Sequence, residues 1–192
     1  LEFDREIFGS KPTGSLFLPA WTPGSYLIRE YARHLSRVQA TAVDTGEPLT
    51  CVKEAKNRFR IDFGDVVQRV RVTYAVYAHE LTVRTSDVTE AHAYWNNACV
   101  LLWPVDQPSL GCRLQVSLPE GWDAVSGLPS AGTEQGVIVW TAKDLSHAID
   151  SPCLLGRFER IEFSVLDVPH TAVLDGLGGL TPPASFRDDL AA

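Results

Sequence analysis

Residues 66–78 read VVQRVRVTYAVYA. The even positions of this stretch are apolar apart from Gln68, whereas Arg69, Arg71 and Thr73 occupy odd positions. An extended strand places alternate side chains on opposite faces, so this pattern predicts a strand with one buried and one solvated face. Strands of this kind are typical of antiparallel sheets.

The same alternation recurs along the chain. It is clearest in three further runs: Arg58–Phe63, Cys112–Leu118 and Arg160–Val165. Shorter apolar runs complete the set: Leu16–Leu18, Val38–Val43, Ala98–Leu102, Val137–Thr141 and Thr171–Leu174. Turn-forming residues separate the runs at intervals of about ten residues, as in sandwiches and barrels. The sequence therefore predicts an all-β fold: an antiparallel β-sandwich-like domain with at most short helical turns.

Length and composition exclude several classes of protein. The 192 residues, of which 45% are hydrophobic and 21% charged, suit one folded β-domain and argue against disorder. The net charge is −7 and no cluster of Lys and Arg interrupts it, which argues against nucleic acid or an anionic membrane as a partner. No apolar run approaches the length of a transmembrane helix.

The two ends of the chain suggest a piece of a longer protein. The sequence begins at Leu1 and contains no methionine. Gly176–Gly179 has the composition of a linker, and Ser185–Ala192 has that of a helix just beginning. We therefore expect one domain over residues 1–180, with a linker and the start of an absent domain over residues 181–192. The N-terminus has no secretory pattern, which favours a cytoplasmic protein.

The four cysteines, Cys51, Cys99, Cys112 and Cys153, include no C-x-x-C pair. An isolated cysteine is most often a small buried residue, so free thiols are favoured here over disulfides. Because the number is even, two disulfides remain an alternative.

The sequence offers no catalytic or metal-binding constellation. A zinc peptidase motif needs His-Glu-x-x-His, and here His79-Glu80 is followed by Leu81, Thr82 and Val83. The other histidines have no ligand spacing, and no nucleophile elbow or phosphate-binding loop is present. We therefore assign no catalytic residue and no metal ligand to this chain.

One segment carries an unusual concentration of contact-forming residues. Residues 18–33 read LPAWTPGSYLIREYAR, in which two prolines and a glycine predict a bend after a strand. The bend presents Trp21, Tyr26 and Arg29, which are residue types suited to contact surfaces. The alternative is structural: the two aromatic residues cap the sandwich and Arg29 pairs with a carboxylate.

The same segment has a second interpretation as a helix. Ile28, Tyr31, Leu35 and Val38 fall at helical spacing, and Thr22-Pro23 would suit a helix start. Local pattern taken by itself favours this helix over a bend.

Residues 18–33 resemble the N-terminal signature of the PDZ-containing glycyl aminopeptidases, metallopeptidase family 61. Further stretches agree in order, namely VTYAVYA at 72–78, AYWNN at 93–97 in the loop that follows, DSP at 150–152 and VPH at 168–170. Asp167 stands where the family usually has glycine. The resemblance covers nearly the whole chain, and it favours a short turn over residues 24–33 with a strand from about Leu35.

The resemblance implies a parent protein of three parts: an N-terminal β-domain, a thermolysin-like zinc domain and a PDZ domain. This chain matches the first part, so the zinc would belong to the parent's catalytic domain and no cofactor to this chain. By analogy with wider families of zinc aminopeptidases, whose N-terminal domains help bind substrate, the candidates for cleft-facing residues are Trp21, Tyr26, Arg29, Asn96 and Asn97.

We therefore predict a non-catalytic N-terminal domain that packs on the parent's catalytic domain and lines the cleft for its peptide substrate. An excised domain of this kind should expose an apolar patch and self-associate. The rival class is a free-standing β-sandwich module that binds carbohydrate or peptide through its tryptophans. An independent hydrolase would need a nucleophile constellation that the sequence does not show.

Overall fold

The computed structural model describes residues 1–64 and 67–191, so Val66 and Ala192 of the predicted elements lie outside the described residues. Antiparallel strands are the main secondary structure of the described chain and its helices are few and short, which confirms the predicted all-β class. The strands are β1 (Glu2–Asp4), β2 (Thr13–Phe17), β3 (Leu35–Ala42), β4 (Pro48–Ala55), β5 (Arg58–Asp62), β6 (Arg69–Val76), β7 (Ser86–Val88), β8 (His92–Trp95), β9 (Trp103–Pro104), β10 (Cys112–Ser117), β11 (Asp123–Ser126), β12 (Ser130–Glu134), β13 (Val137–Ala142), β14 (Cys153–Gly156), β15 (Glu159–Val165) and β16 (Val168–Leu174).

The helices are short. They are α1 (Leu145–Ile149) and α2 (Phe186–Ala191), and single 3-10 turns occupy Arg5–Phe8, Tyr31–His34 and Asn97–Cys99. The helix predicted to begin near Ser185 is thus present as α2, which lies near β15. Within residues 1–64 and 67–191, no helix has the length and apolarity needed to cross a membrane.

The largest sheet has the strand order β1-β6-β3-β4-β5-β2-β9 and is curled into a half-barrel. Within this sheet, β4 meets β3 at only two pairs of residues, Ala40 with Leu49 and Thr41 with Pro48, whereas it follows β5 along its length.

Three smaller sheets complete the domain. One has the order β11-β14-β8-β7, a second has β10-β13-β12, and the third is the hairpin β15-β16. The hairpin turns at Leu166 and Asp167, which both have positive φ (48° and 63°), as a tight two-residue hairpin turn requires.

The core follows the alternation seen in the sequence. In β5, Phe59 and Ile61 are 5% and 0% exposed, and in β6, Val70 and Val72 are 0% and 1% exposed. A second buried cluster gathers around Trp103, Trp140 and other residues of β13 and β14. Helix α1 joins the two clusters because Ile149 packs in the first and Ala148 in the second.

Two local predictions are wrong. Ala98–Leu102 is not a strand, because the Asn96 side chain accepts a hydrogen bond from the Ala98 backbone N–H (2.9 Å) and caps a 3-10 turn at residues 97–99. The stretch 93–97 is not wholly a loop either. Its first three residues belong to β8, which pairs with both β7 and β14.

The bend prediction is confirmed and the helical alternative for residues 23–38 is wrong. A strand, β3, begins at Leu35 as expected, and before it only residues 31–34 form a single 3-10 turn. The Ser25 N–H donates to the Thr22 carbonyl (3.1 Å), and Gly24 has φ 73°. Proline followed by glycine at positive φ defines a type II turn, which breaks the helical path.

Candidate functional site

Four separate stretches of the chain meet at one surface depression of about 350 Å³. The first stretch is the bend, by which we mean residues 20–30; the second follows β6 and includes Arg84; the third is the end of β8 with Asn96; the fourth is residues 149–152 at the end of α1. The lining residues are Thr22, Pro23, Gly24, Val83, Arg84, Tyr94, Asn96, Ile149, Asp150 and Pro152. Sequence stretches up to 130 positions apart thus contribute to one site.

The bend is held by hydrogen bonds within itself. Besides the turn at Gly24, the Trp21 indole Nε1 donates to the Ser25 carbonyl (2.9 Å) and the Arg29 N–H donates to the Ala20 carbonyl (2.7 Å). These contacts close a compact loop, and the Lys56–Glu30 ion pair (2.7 Å) ties its end to the turn between β4 and β5. The apolar side chains of Tyr26, Leu27 and Ile28 are left exposed.

Two of the segments that line the depression also carry exposed large apolar side chains. We call this set the apolar rim; its members and exposed fractions are Trp21 48%, Tyr26 102%, Leu27 61%, Ile28 87%, Leu81 63% and Val83 72%. The rim has two sources, the bend and the loop after β6, which meet because Pro23, Gly24 and Val83 line the same depression. An Arg33–Glu80 ion pair (3.4 Å) also links the 3-10 turn that follows the bend to the loop after β6. Grouped exposed apolar residues of this kind are typical of interaction sites.

Arg29 lies partly buried within the bend and does not extend outward. Its Nη2 lies 3.5 Å from the Ser25 Oγ, and its buried Nε has no hydrogen-bond partner among the described residues. A guanidinium donates hydrogen bonds and cannot bind an ammonium group, so Arg29 suits a carbonyl or carboxylate.

Asn97 faces the interior. It is 0% exposed, and its Nδ2 donates to the carbonyls of Ala148 (3.0 Å) and Ser151 (2.7 Å). Its Oδ1 accepts a hydrogen bond from the Trp95 Nε1 (2.9 Å). Because the whole amide is used by its own chain, Asn97 joins β8, α1 and Ser151 and has no group left for a ligand. We call Asn97 and these partners the asparagine knot.

Asn96 occupies the boundary between the knot and the depression. It is 6% exposed and lines the depression, while its Oδ1 caps the 3-10 turn. Of the five residues predicted to face a cleft, Trp21, Tyr26 and Arg29 therefore lie together on the bend. Asn96 lies in the lining of the depression, and Asn97 lies in the interior.

Sequence reasoning missed Arg84, Tyr94 and Asp150 as members of the site. Arg84 and Asp150 are exposed, and the Tyr94 hydroxyl donates to the Val83 carbonyl (3.2 Å). Burial raises the pKa of Tyr94, so its hydroxyl stays protonated and keeps its hydrogen bond to Val83. The DSP and AYWNN stretches were the available signal, although nothing in the sequence showed that they meet.

The lining offers several side chains that can bind polar groups. It contains one guanidinium, one carboxylate, a phenol and an amide, and none of its described residues is histidine or cysteine. In the described ranges, no group of three or more His, Cys, Asp and Glu side chains is arranged to hold a metal ion. The four cysteines are thiols in the structure, with Cys99 and Cys153 buried.

The fold and the site together define an all-β domain with one polar-lined surface depression and exposed apolar side chains on the segments beside it. The comparison with protein families matches residues 6–157 to the Peptidase M61 N-terminal domain. This chain belongs to that family.

One solved structure shares the fold of almost the whole chain. An aminopeptidase N family protein from Idiomarina loihiensis matches 99% of this chain with 28% identity and a TM-score of 0.85. This chain spans 32% of the length of that protein. An M1 zinc metallopeptidase from Deinococcus radiodurans matches 91% of the chain at 16% identity with a TM-score of 0.45. A comparison with curated proteins found no match.

Proposed function

We propose that this chain is the non-catalytic N-terminal domain of a zinc-dependent aminopeptidase. In this proposal the parent carries its zinc on a separate catalytic domain, acts on peptides with a glycyl preference and includes a PDZ domain. Membership in the Peptidase M61 N-terminal domain family supports the peptidase part. The likeness to an aminopeptidase N family protein three times as long supports a further domain.

The apolar rim carries the proposal for how this domain works. Six large exposed apolar side chains lie on two segments, and both of these segments contribute residues to the lining of the depression. Interfaces between domains of one chain bury about 600–1,500 Å², and such residues are typical of them. The catalytic domain would pack on the rim, and the depression beside it would form one wall of the peptide-binding cleft.

Polar groups at the depression suit a peptide in this arrangement. Arg84 offers donors for a peptide carbonyl, and Asp150 offers an acceptor for a backbone N–H or an amine. On the bend, Trp21, Tyr26 and Arg29 stay our candidates for contacts with substrate or with the catalytic domain. Zinc in the parent would polarise the scissile carbonyl, which is chemistry that this domain does not supply.

The rim can be tested with Ile28→Asp in the parent and in the isolated chain. Val168→Asp is the matched control, since Val168 is also exposed (54%) but lies on the β15-β16 hairpin. In the parent, the rim variant should lower kcat/KM on an aminoacyl anilide by about tenfold or more, because a carboxylate at the interface loses hydration. In the isolated chain, which we expect to self-associate, it should lower the mass measured by light scattering.

If Ile28→Asp and Val168→Asp have equal kcat/KM in the parent, the apolar rim is not part of the interface with the catalytic domain. A strictly monomeric wild-type chain at high concentration would favour the rival, a free-standing binding module. That rival has one observation in its favour: the exposed rings of Trp21 and Tyr26 could stack on a sugar or a peptide.

A further inference from the structure

A small cavity lies between the 3-10 turn that follows the bend and the start of β7. Its volume is about 10 Å³. Four parts of the fold line it: the turn at residues 31–34, the end of β6, the loop that leads into β7 and the turn at residues 97–99. The lining residues are Tyr31, His34, Val76, Tyr77, Glu80, Thr85, Ser86 and Cys99. Segments that are distant in sequence therefore meet at this cavity.

Two buried hydroxyl groups of the lining have no protein partner. Tyr31 is 4% exposed and Ser86 is 5% exposed, and neither hydroxyl oxygen has a hydrogen-bond partner among the described residues. Thr22 lies beside Tyr31, and Cys99 lies beside Ser86, but neither of them forms a hydrogen bond with these oxygens. Native structures rarely leave a buried hydroxyl unpaired, because it loses its hydration without a replacement. Two such groups at one cavity point to a shared partner.

Other polar groups of the lining are already used by the protein. The Thr85 hydroxyl donates to the Glu80 carbonyl, and the Tyr77 N–H donates to the His34 carbonyl (2.9 Å). The Glu80 carboxylate and the His34 ring both contact Arg33, at 3.4 Å and 2.9 Å. These groups therefore leave the two hydroxyls as the free donors and acceptors of the cavity.

The thiol of Cys99 is occupied as a donor. Its Sγ donates to the Arg84 carbonyl (3.0 Å), and burial raises the pKa of Cys99 to about 12, so it stays a protonated thiol. Its single proton is therefore not available to Ser86. The sulfur keeps the capacity of a weak acceptor.

The size and the chemistry of the cavity fit one water molecule. A buried water needs roughly 10–15 Å³ of space and typically makes about three hydrogen bonds. The cavity has about 10 Å³, which is too small for an organic ligand. A water molecule can donate to one hydroxyl oxygen and accept from the other, with the Cys99 sulfur as a weak third partner. One molecule of water thus satisfies both groups.

We propose that this cavity is the binding site of a single structural water molecule, which bridges the hydroxyls of Tyr31 and Ser86. Tyr31 directly follows the bend, and Ser86 follows the loop that carries Leu81 and Val83. The bridge therefore joins the two segments that carry the apolar rim. It fixes the position of one segment relative to the other before any partner binds.

A high-resolution crystal structure of the 192-residue chain tests the site directly. It should show one ordered water within about 3 Å of both hydroxyl oxygens. A structure without this water would overturn the proposal. So would a structure in which the hydroxyls of Tyr31 and Ser86 bind Thr22 and Cys99 instead.

Thermal unfolding of Tyr31→Phe, Ser86→Ala and the double variant measures the bridge in solution. Each single variant leaves the water and the other hydroxyl short of a partner, so each should lower Tm by about 3 °C or more. The double variant should lose much less than the sum of the two, because the whole bridge is then removed. Tyr26→Phe and Ser164→Ala are the matched controls, since both residues are exposed, and they should leave Tm unchanged.

The sign and the additivity of these shifts separate the water bridge from its alternatives. If the two hydroxyls had no partner at all, removal of either would raise Tm, because a buried unpaired group would be lost. If Thr22 and Cys99 each bound one hydroxyl, the two losses would simply add. Either result would overturn the proposal.

Amide hydrogen exchange tests whether the bridge holds the two segments together. The Tyr77 N–H, which donates to the His34 carbonyl, should exchange about fivefold faster or more in either single variant, because local opening becomes easier. The Phe63 N–H, which donates to the Pro12 carbonyl (3.0 Å) elsewhere in the domain, is the internal control and should not change. Equal exchange of the Tyr77 amide in wild type and variants would show that the water does not fix the segments.

Discussion

The bend and the asparagine knot lie side by side and behave in opposite ways. The bend satisfies its hydrogen bonds within a few residues and leaves Tyr26 and Ile28 in solvent. The knot satisfies its hydrogen bonds across more than fifty positions of sequence and leaves Asn97 0% exposed. A loop that is closed by its own hydrogen bonds can leave its side chains exposed to a partner. A residue that joins distant segments uses its hydrogen-bonding groups within the fold and has none left for a ligand. Proximity to a depression is therefore insufficient to assign a residue to binding.

The largest effect should come from Asn97→Asp. The carboxylate would replace a donor that faces two buried carbonyl oxygens, so repulsion and lost hydrogen bonds should lower the free energy of unfolding by about 3–5 kcal/mol. Urea denaturation of the isolated chain measures it. Asn96→Asp is the matched control, because its oxygen still caps the Ala98 N–H, and it should change stability by less than about 1 kcal/mol. Equal losses in the two variants would contradict the distinction between them.

The reactivity of the Cys153 thiol provides a second measure of how well the asparagine knot is buried. Its Sγ lies 3.9 Å from the Asn97 Nδ2, and burial raises its pKa from 9.0 to about 11. At pH 8 the reactive thiolate should be about a hundredfold scarcer than for an ordinary thiol, so alkylation of the folded chain should be slower by at least that factor. Mass spectrometry should then show four labels after denaturation without reductant. Rapid labelling of native Cys153, or fewer than four labels in the end, would contradict this.

A smaller effect is expected in the bend from Gly24→Ala. A Cβ at Gly24 would meet nothing within 4 Å, so the cost comes only from its φ of 73° and should be about 1 kcal/mol. Gly24→Asn should recover part of this loss, since asparagine tolerates positive φ. Thermal unfolding of the wild type, Gly24→Asn and Gly24→Ala tests whether stability falls in that order. A loss larger than that of Asn97→Asp would mean that the bend, too, is part of the structural framework.

The smallest effect on stability should come from Arg29→Ala, with less than about 1 kcal/mol lost in the isolated chain, because its side-chain contact with Ser25 is long. In the parent the same variant should lower turnover on a peptide substrate more than it lowers stability. Unchanged kcat/KM in a folded parent variant would assign Arg29 to holding the bend.

The sequence predicts the strands whose two faces differ in polarity. Runs such as Phe59–Phe63 and Cys112–Leu118 alternate because one face packs on the core, and this information is local. By contrast, all residues of β12 are exposed, so no alternation marks it. The structural role of Asn97 could not be predicted from the sequence for another reason. Its hydrogen-bond partners, the carbonyls of Ala148 and Ser151, come close to it only after the sheets have assembled.

The pairing of β1 with β6 has a consequence for how the domain forms. The Leu1 carbonyl accepts from the Val72 N–H (2.7 Å), so two residues 71 positions apart lie in one ladder. At about 5–20 residues per second, a ribosome needs roughly 4–14 s to add the intervening chain. During that time the apolar Phe3 has no strand to join, whereas β2 finds β5 sooner. We expect β1 to dock late, which makes this edge of the curled sheet the part of the domain most dependent on protection during synthesis.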